Sequence, residues 1–228
     1  MLRNIEIYFL VFFIYSILGW LMEVIRIFIH NRKLVNRGFL IGPYCPIYGH
    51  GVLLMTFLLK KYQNDVLATF IFSILICGVL EYFTSYFMEK IFHARWWDYT
   101  NRKFNINGRI CLDNLIAFGI LGCIILYITN PVIINMLSKI PNIILHIISI
   151  TLFIIYIVDN VISSKIVLNL KEISVNVRDN TEEISQKVKN IISKKSALHR
   201  RLVNAFPDIR AKVNLKNWLT EKRHEKNK

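Results

Sequence analysis

Four residues able to do acid–base or ligand chemistry, Glu23, His50, Glu81 and Asp113, stand in or beside long apolar stretches of the chain. Glu81 is the sharpest case, because the fifteen residues before it carry no charge. A charged side chain at the middle of a membrane helix costs about 2.5–3.5 kcal/mol even on permissive scales, so it marks a functional or a paired site. Glu81 is predicted either to hold a proton or cation in a pathway, or to pair with another helix through Arg26 or His50.

For the other candidates, a structural role explains the residue at least as well as a functional one. Glu23, Asp113 and Asp159 lie nearer the ends of their apolar stretches, where water relieves the cost of charge, and anchoring at the interface is favoured. His50 is more often a hydrogen-bonded packing residue than a ligand. No metal-binding spacing includes it, and no metal site is predicted.

The elements that must position these residues are five apolar stretches, each close to the ~20 residues that a membrane-spanning helix needs. They cover residues 5–28, 44–60, 66–88, 112–130 and 142–162. Hydrophobic residues make up 54% of the chain, more than a soluble core requires, and the stretches lack the alternation of barrel strands. The sequence predicts an all-α, multi-pass membrane protein with a transmembrane domain over residues 1–163.

Basic residues predict the orientation of these helices. Lys and Arg are concentrated in the loops after the first and third helices and in the segment after the fifth. By the positive-inside rule, the N-terminus lies outside and both long loops and the C-terminal tail are cytoplasmic. The first stretch is interpreted as a retained helix, since no small-residue cleavage site follows it. The predicted location is the plasma membrane.

Short internal similarities suggest a duplicated hairpin, with helices 1 and 2 matching helices 3 and 4. Similar apolar phrases precede Glu23 and Glu81, and Gly-x-x-Cys occurs at 42–45 and again at 108–111 as the next helix begins. Matches this short also arise by chance in an apolar chain. If the duplication is real, the functional site is expected between the hairpins.

The two long loops have unusual compositions. The first contains Arg37, Gly38, Gly42, Pro43, Tyr44, Cys45 and Pro46, which forbid a regular helix and predict an ordered re-entry into helix 2. The second contains Arg95, Trp96, Trp97, Asp98, Tyr99, Asn107, Gly108 and Arg109. Aromatic anchoring with positive-inside charge explains this composition. The alternative is a surface for a headgroup, a phosphate or a partner, with Arg95 and Arg109 as donors.

The segment 164–228 is predicted to be a basic, helical cytoplasmic tail. Of the 29 Lys and Arg residues in the chain, 16 lie here. Leu170, Val177, Ile184 and Ile191 are seven residues apart, which favours a short coiled coil that joins copies of the chain or an amphipathic helix on anionic lipid. Lipid attraction explains the charge better than nucleic-acid binding, so no nucleic acid is expected.

Three phrases in the chain resemble a known bacterial family. They are NRGFLIGPYCPIYG at 36–49, LEYFTSYFME at 80–89 and HARWWDY at 93–99, and they occur in the same order as in the type IV family of ABC-transporter permeases. The resemblance spans residues 8 to 130. It implies a partner ATPase, since this chain has no phosphate-binding Gly-Lys-Ser/Thr loop, and it supplies no catalytic residues or cofactor.

Three functional hypotheses of different class follow. The first is a permease subunit, with Glu81 in its pathway, an ATP-binding subunit on the inward loops and lipid around its helices. The second is a membrane enzyme or binding protein for lipid or lipid-linked substrates, which requires its polar groups to converge on one pocket. The third is a sensor or assembly factor without catalytic activity that uses the tail.

Overall fold

The structure is a computed structural model that describes residues 1–32, 36, 38–92, 94–175 and 210–211. In these ranges the helices are α1 (Leu2–Asn31), α2 (Pro46–Leu58), α3 (Val66–Phe92), α4 (Leu112–Ser138) and α5 (Asn142–Val175). The short strands are β1 (Ala94–Arg95), β2 (Asn105–Ile106), β3 (Ile110–Cys111) and β4 (Arg210–Ala211). Four helices, all except α2, are long and apolar enough to cross a membrane. The predicted α-helical membrane fold is confirmed.

Helix α2 is shorter than the stretch 44–60 predicted from hydropathy. Its first residue is Pro46, and Cys45 before it has an extended backbone, with φ −117° and ψ 97°. Proline suits the first turn of a helix because the missing N–H has no helical partner there. At 1.5 Å per residue the helix is about 20 Å long, less than the ~30 Å hydrocarbon core.

Helix α4 runs past the predicted end at residue 130. It passes through a π-helical turn over Ile125–Thr129 and continues from Asn130 to Ser138. Pro131 cannot donate the next helical hydrogen bond, and the wider turn immediately before it accommodates that loss. The result is one apolar helix of 27 residues.

The helices pack as two hairpins, α1 with α2 and α3 with α4, and α5 lies against α1. In the first hairpin a Cβ added to Gly49 would come within 2.4 Å of the Phe12 carbonyl oxygen, so the two backbones meet closely at this glycine. Buried aliphatic side chains of α1, α2 and α4, including Val11, Met55 and Leu126, fill the space between the hairpins. Both hairpins leave apolar residues on their outer faces.

Polar contacts fix one end of the bundle. Arg3 binds the Asn142 side chain and the carbonyl oxygens of Ser138 and Ile140, which brings together the starts of α1 and α5 and the end of α4. From Asn142, helix α5 rises about 25 Å before it reaches Asp159. Asp159 and the loop between α1 and α2, which it contacts, therefore lie toward the opposite end.

The C-terminal part is described only in pieces. Helix α5 continues to Val175, past the predicted end of the transmembrane domain at residue 163, and β4 pairs antiparallel with β1, with Ala211 opposite Ala94. The predicted coiled-coil positions after Val175 lie outside the described residues. So does Arg37.

Candidate functional site

Glu81 lies on α3 in a buried position, with only 7% of its surface exposed. The Tyr99 hydroxyl, from the loop after α3, donates to its Oε1 at 3.2 Å. Asn114, in the first turns of α4, is close enough to hydrogen-bond with both Glu81 and Tyr99. Among the described residues, Oε2 of Glu81 has no well-formed hydrogen bond. One carboxylate oxygen is thus satisfied and the other is not.

Glu23 of the first hairpin has a matching arrangement. The Tyr48 hydroxyl, from α2, donates to its Oε1 at 2.7 Å. Glu23 is also close enough to Glu81 and Tyr99 for its charge to act on both. We call Glu23, Tyr48, Glu81, Tyr99 and Asn114 the acid–tyrosine cluster. It joins the two hairpins, because its members come from α1, α2, α3, α4 and the second loop.

The electrostatics of the cluster disfavour two full negative charges. Like charges that are close together in a buried site oppose each other's ionisation. Burial, and then the neighbouring carboxylate of Glu81, raise the pKa of the Tyr99 phenol well above its usual value. Tyr99 therefore stays protonated and acts as a hydrogen-bond donor.

Close packing fixes the position of Tyr48. A Cβ added to Gly19 of α1 would lie 2.2 Å from Cγ of the tyrosine ring. Only a glycine at this position lets the ring lie flat against α1, with its hydroxyl directed at Glu23 one turn further along. Gly19 is a positioning residue that the sequence alone did not reveal.

The first loop is held by Asp159 of α5. The carboxylate accepts the backbone N–H of Ile41 at 2.9 Å, that of Gly42 at 2.8 Å and the Tyr44 hydroxyl at 2.5 Å. The Ser163 hydroxyl, one turn further on α5, donates to it at 2.8 Å. Burial and the hydrogen bond to Asp159 raise the pKa of Tyr44. Asp159 is therefore a structural acceptor with every lone-pair direction in use.

The same loop is attached to α1 at its far end. The backbone N–H of Cys45 donates to the Ser16 carbonyl at 2.8 Å, about halfway along α1. Trp20 Nε1 donates to the Asn36 side chain at 2.6 Å. The loop thus runs back along the second half of α1 and enters α2 deep in the bundle, as the predicted re-entry requires.

A buried ion pair organises the second loop. Arg109 meets Glu89 at 2.7 Å, and both side chains are less than 10% exposed. Arg109 also donates to the Ser85 hydroxyl at 3.1 Å and lies beside the rings of Tyr82 and Tyr86. The two carboxylates of α3 therefore differ, since Glu89 has a matched cation and Glu81 does not.

The backbone of the second loop shapes it as a small β-hairpin. β2 pairs with β3, and Asn107 and Gly108 turn between them with φ 54° and 65°. Trp97 Nε1 donates to the Arg109 carbonyl at 3.0 Å, and the Tyr99 N–H to the Gly108 carbonyl at 2.8 Å. These bonds hold Tyr99 in place beside Glu81.

Trp96 joins the two loops. It is 4% exposed, and its ring packs edge-on against that of Phe39, with 5.7 Å between ring centres. Asp98 supports the turn that follows by accepting the Thr100 N–H at 3.0 Å. At the tip of the second loop, by contrast, Phe104 is 78% exposed.

The other predicted site residues lie apart from the cluster contacts. His50 binds the Pro46 carbonyl oxygen through Nδ1 and packs against Phe12, in an apolar groove of about 450 Å³ between α1, α2 and α5. Asp113 is exposed at the start of α4. For Arg95 the structure gives the backbone alone. In the described part of the chain, no three His, Cys, Asp or Glu side chains are grouped to hold a metal ion.

Some cluster members were not singled out by sequence reasoning. Tyr48 and Asn114 each follow the Gly-x-x-Cys phrase, at the same spacing of six residues from its glycine, and each contacts the glutamate of its own hairpin. The repeat that linked Glu23 to Glu81 was the signal that could have found them.

Comparison with known protein families gave a match that covers most of the apolar helices. A family model described as "Putative ABC-transporter type IV" matches residues 10–164, which include both hairpins, both loops and Asp159. Searches of curated proteins and of solved structures gave no match. Because the match covers more than half of the chain, this membrane protein belongs to the ABC-transporter type IV family.

Proposed function

We propose that this chain is the permease subunit of an ABC-type transporter in the plasma membrane, with its substrate path between the two hairpins. The supporting observation is a line of buried polar side chains at that interface, which continues from the acid–tyrosine cluster toward the other end of the bundle. We call it the central polar row; beyond the cluster it consists of buried Ser73, Thr56, Asn130 and Tyr15, together with half-buried Thr129.

The row begins below Glu81 at Ser73, about 12 Å away along α3. Ser73 is fully buried at the junction with α4, where a Cβ on Gly122 would lie 2.3 Å from its hydroxyl. Further along, Asn130 donates to the Thr56 hydroxyl at 2.9 Å. Buried polar groups cost free energy in an apolar bundle, so their alignment along one interface argues for a use beyond packing.

The π-helical turn in α4 belongs to this row. Thr129, the last residue of the turn, shares a hydrogen bond of 2.7 Å with the Tyr15 hydroxyl of α1. Turns of this kind are frequent at functional sites, since they leave backbone groups less completely paired than a regular helix does. Val11, Met55 and Leu126 pack around the row and close it in this conformation.

ATP hydrolysis would take place on a separate subunit docked at the second loop. The tip of this loop presents exposed Phe104 with exposed Arg102 and Lys103, a combination of apolar and basic groups suited to a protein partner. The rest of the loop is tied to α3 through Arg109 and Tyr99, so movement at the tip reaches the acid–tyrosine cluster. A cytoplasmic position of this loop is what the positive-inside rule predicts.

The test is a native pull-down of the tagged chain from its own membranes in mild detergent, followed by mass spectrometry. We expect a stoichiometric ATP-binding subunit with the wild-type chain and a large loss of it with Phe104→Ala. Lys61→Ala, in the exposed connection between α2 and α3, is the matched control and should retain the subunit. Recovery of no ATP-binding subunit with the wild-type chain would refute the proposal.

The second candidate function is a membrane protein that acts on lipid or lipid-linked substrates. The groove of about 450 Å³ favours it, since that volume and an aromatic lining that includes Tyr8, Phe9 and Phe57 suit an apolar chain. Co-purification of a lipid-linked sugar without an ATPase in the same pull-down would favour this candidate over the permease.

A further inference from the structure

We propose that Glu81 and Glu23 form a binding site for a single exchangeable positive charge, either a proton or a small monovalent cation such as Na⁺. The site lies in the acid–tyrosine cluster, and only the movement of the bound charge across the membrane rests on the proposed function.

The charges of the described side chains around Glu81 do not balance. Two carboxylates, Glu23 and Glu81, interact electrostatically, and the described cation acting on Glu81 is Arg26. Arg26 is an exposed residue one turn beyond Glu23. Arg109 is already paired with Glu89 and contributes no spare positive charge. Two negative charges thus face one solvated positive charge, and the pair is one charge short.

The second carboxylate oxygen of Glu81 lies in a buried environment. Only 7% of the Glu81 surface is exposed, and its buried Oε2 has no well-formed hydrogen bond within the described part of the chain. An ionised oxygen left bare in such a place is strongly unfavourable. A proton on Oε2, or a small cation against it, removes the penalty.

Asp159 differs from Glu81, although it too is a carboxylate buried in the bundle. Four donors satisfy Asp159, two of them backbone N–H groups that cannot move away. A carboxylate with so many donors is stabilised as the anion. Asp159 thus needs no further positive charge, whereas Glu81 does.

The groups that face Glu81 allow exchange of the charge. Tyr99 and Tyr48 bring hydroxyl groups to the two carboxylates, and Asn114 an amide. On α3 itself, the Cys77 thiol lies one turn before Glu81 and interacts with it. Each hydroxyl can rotate about its C–O bond, so its hydrogen bond can adjust when a proton or a cation binds to or leaves the glutamate that it contacts.

Labelling by dicyclohexylcarbodiimide tests the site, since this apolar reagent modifies buried carboxyl groups in their protonated form. The purified full-length chain in lipid nanodiscs is treated across pH 5 to 9, and then at fixed pH with increasing NaCl or, as control, choline chloride. Peptide mass spectrometry follows Glu81 and Asp159 in the same sample. We expect Glu81 to be labelled and Asp159 to remain unmodified.

The two sources of charge give different patterns. If the site holds a proton, labelling of Glu81 falls about tenfold per pH unit above its pKa and does not change with NaCl. A Na⁺ site is protected by NaCl and not by choline chloride. Glu23→Gln removes the opposing charge and should lower Glu81 labelling at neutral pH severalfold, while Glu6→Gln, near the other end of α1, should not. No labelling of Glu81, or labelling that is the same at every pH and salt concentration, would overturn the proposal.

This outcome is separate from that of the pull-down. If no ATP-binding subunit is recovered and Glu81 is labelled as described, the permease assignment fails and the charge-binding site remains.

Discussion

Replacing Asp159 by asparagine should detach the first loop from α5. In the wild-type chain one carboxylate oxygen, Oδ2, accepts the Gly42 N–H and the Tyr44 hydroxyl, and the other accepts the Ile41 N–H and the Ser163 hydroxyl. Asparagine has one acceptor oxygen, and its NH₂ group faces two donors whichever way the amide is turned. Two hydrogen bonds must be lost.

The size of the effect follows from the type of bond. A hydrogen bond to a charged group contributes about 1.5–3 kcal/mol in proteins, and side-chain bonds within membrane bundles lie lower, at about 0.6–1.7 kcal/mol. Two lost bonds at about 1.5 kcal/mol each give a destabilisation of about 3 kcal/mol for Asp159→Asn. Ser163→Ala removes one donor and should cost about 1 kcal/mol.

The measurement is reversible unfolding in mixed micelles with increasing SDS, followed by tryptophan fluorescence. Trp20 and Trp96 lie against the first loop, so they should report its release. The ratio of the two destabilisations, Asp159→Asn to Ser163→Ala, is a stronger test than either free-energy change alone. If Asp159→Asn unfolds within about 0.5 kcal/mol of wild type, or costs no more than Ser163→Ala, the loop is not held by this carboxylate and the reasoning is wrong.

Three further substitutions test other parts of the structure. Arg109→Gln leaves Glu89 buried without a cation and should cost about 3–5 kcal/mol in the same unfolding assay, with partial recovery in the double variant that also carries Glu89→Gln. Gly49→Ala forces α2 away from the α1 backbone and should destabilise the first hairpin by at least 1 kcal/mol, whereas Gly51→Ala, whose added Cβ meets nothing closer than 3.6 Å, should be nearly neutral. Burial and Glu81 raise the pKa of Tyr99, so the folded chain holds the phenol proton more tightly than the unfolded chain does. The free energy of unfolding should therefore be unaffected by this group below pH 10 and should fall above it. Tyr99→Phe should reduce that fall. An alkaline profile unchanged by Tyr99→Phe would contradict the last prediction.

Hydropathy predicted the number and order of the helices, because lipid exposure demands long apolar stretches whatever the packing. It misplaced the ends of α2 and α4. At α2 the apolar residues Tyr44 and Cys45 look helical in composition, yet they form the end of a buried loop. At α4 the predicted stretch ended at residue 130, and the π-helical turn before Pro131 allows the helix to continue to Ser138.

The site was only partly predictable for a different reason. A lone glutamate in an apolar stretch is conspicuous because a charge inside a membrane helix costs free energy, so Glu81 could be found from the sequence. The partners of Glu81 come from distant elements and carry ordinary side chains, such as Tyr99 and Asn114, whose importance depends on three-dimensional proximity. Asp159 was expected at the membrane interface as an anchor. That it binds backbone amides more than 100 residues away has no local signal in the sequence.

The attachment of the first loop to both α1 and α5 has a consequence for how the protein is made. Asp159 follows Ile41 by 118 residues, so at typical synthesis rates of 5–20 residues per second it emerges from the ribosome roughly ten seconds later. Throughout that interval the amides of Ile41 and Gly42 lack their acceptor, and water or the insertion machinery must satisfy them. The loop between the first two helices is therefore made early but is among the last parts of the chain to reach its final shape, and a ribosome that stalls before α5 is complete leaves two hairpins with this loop unfinished.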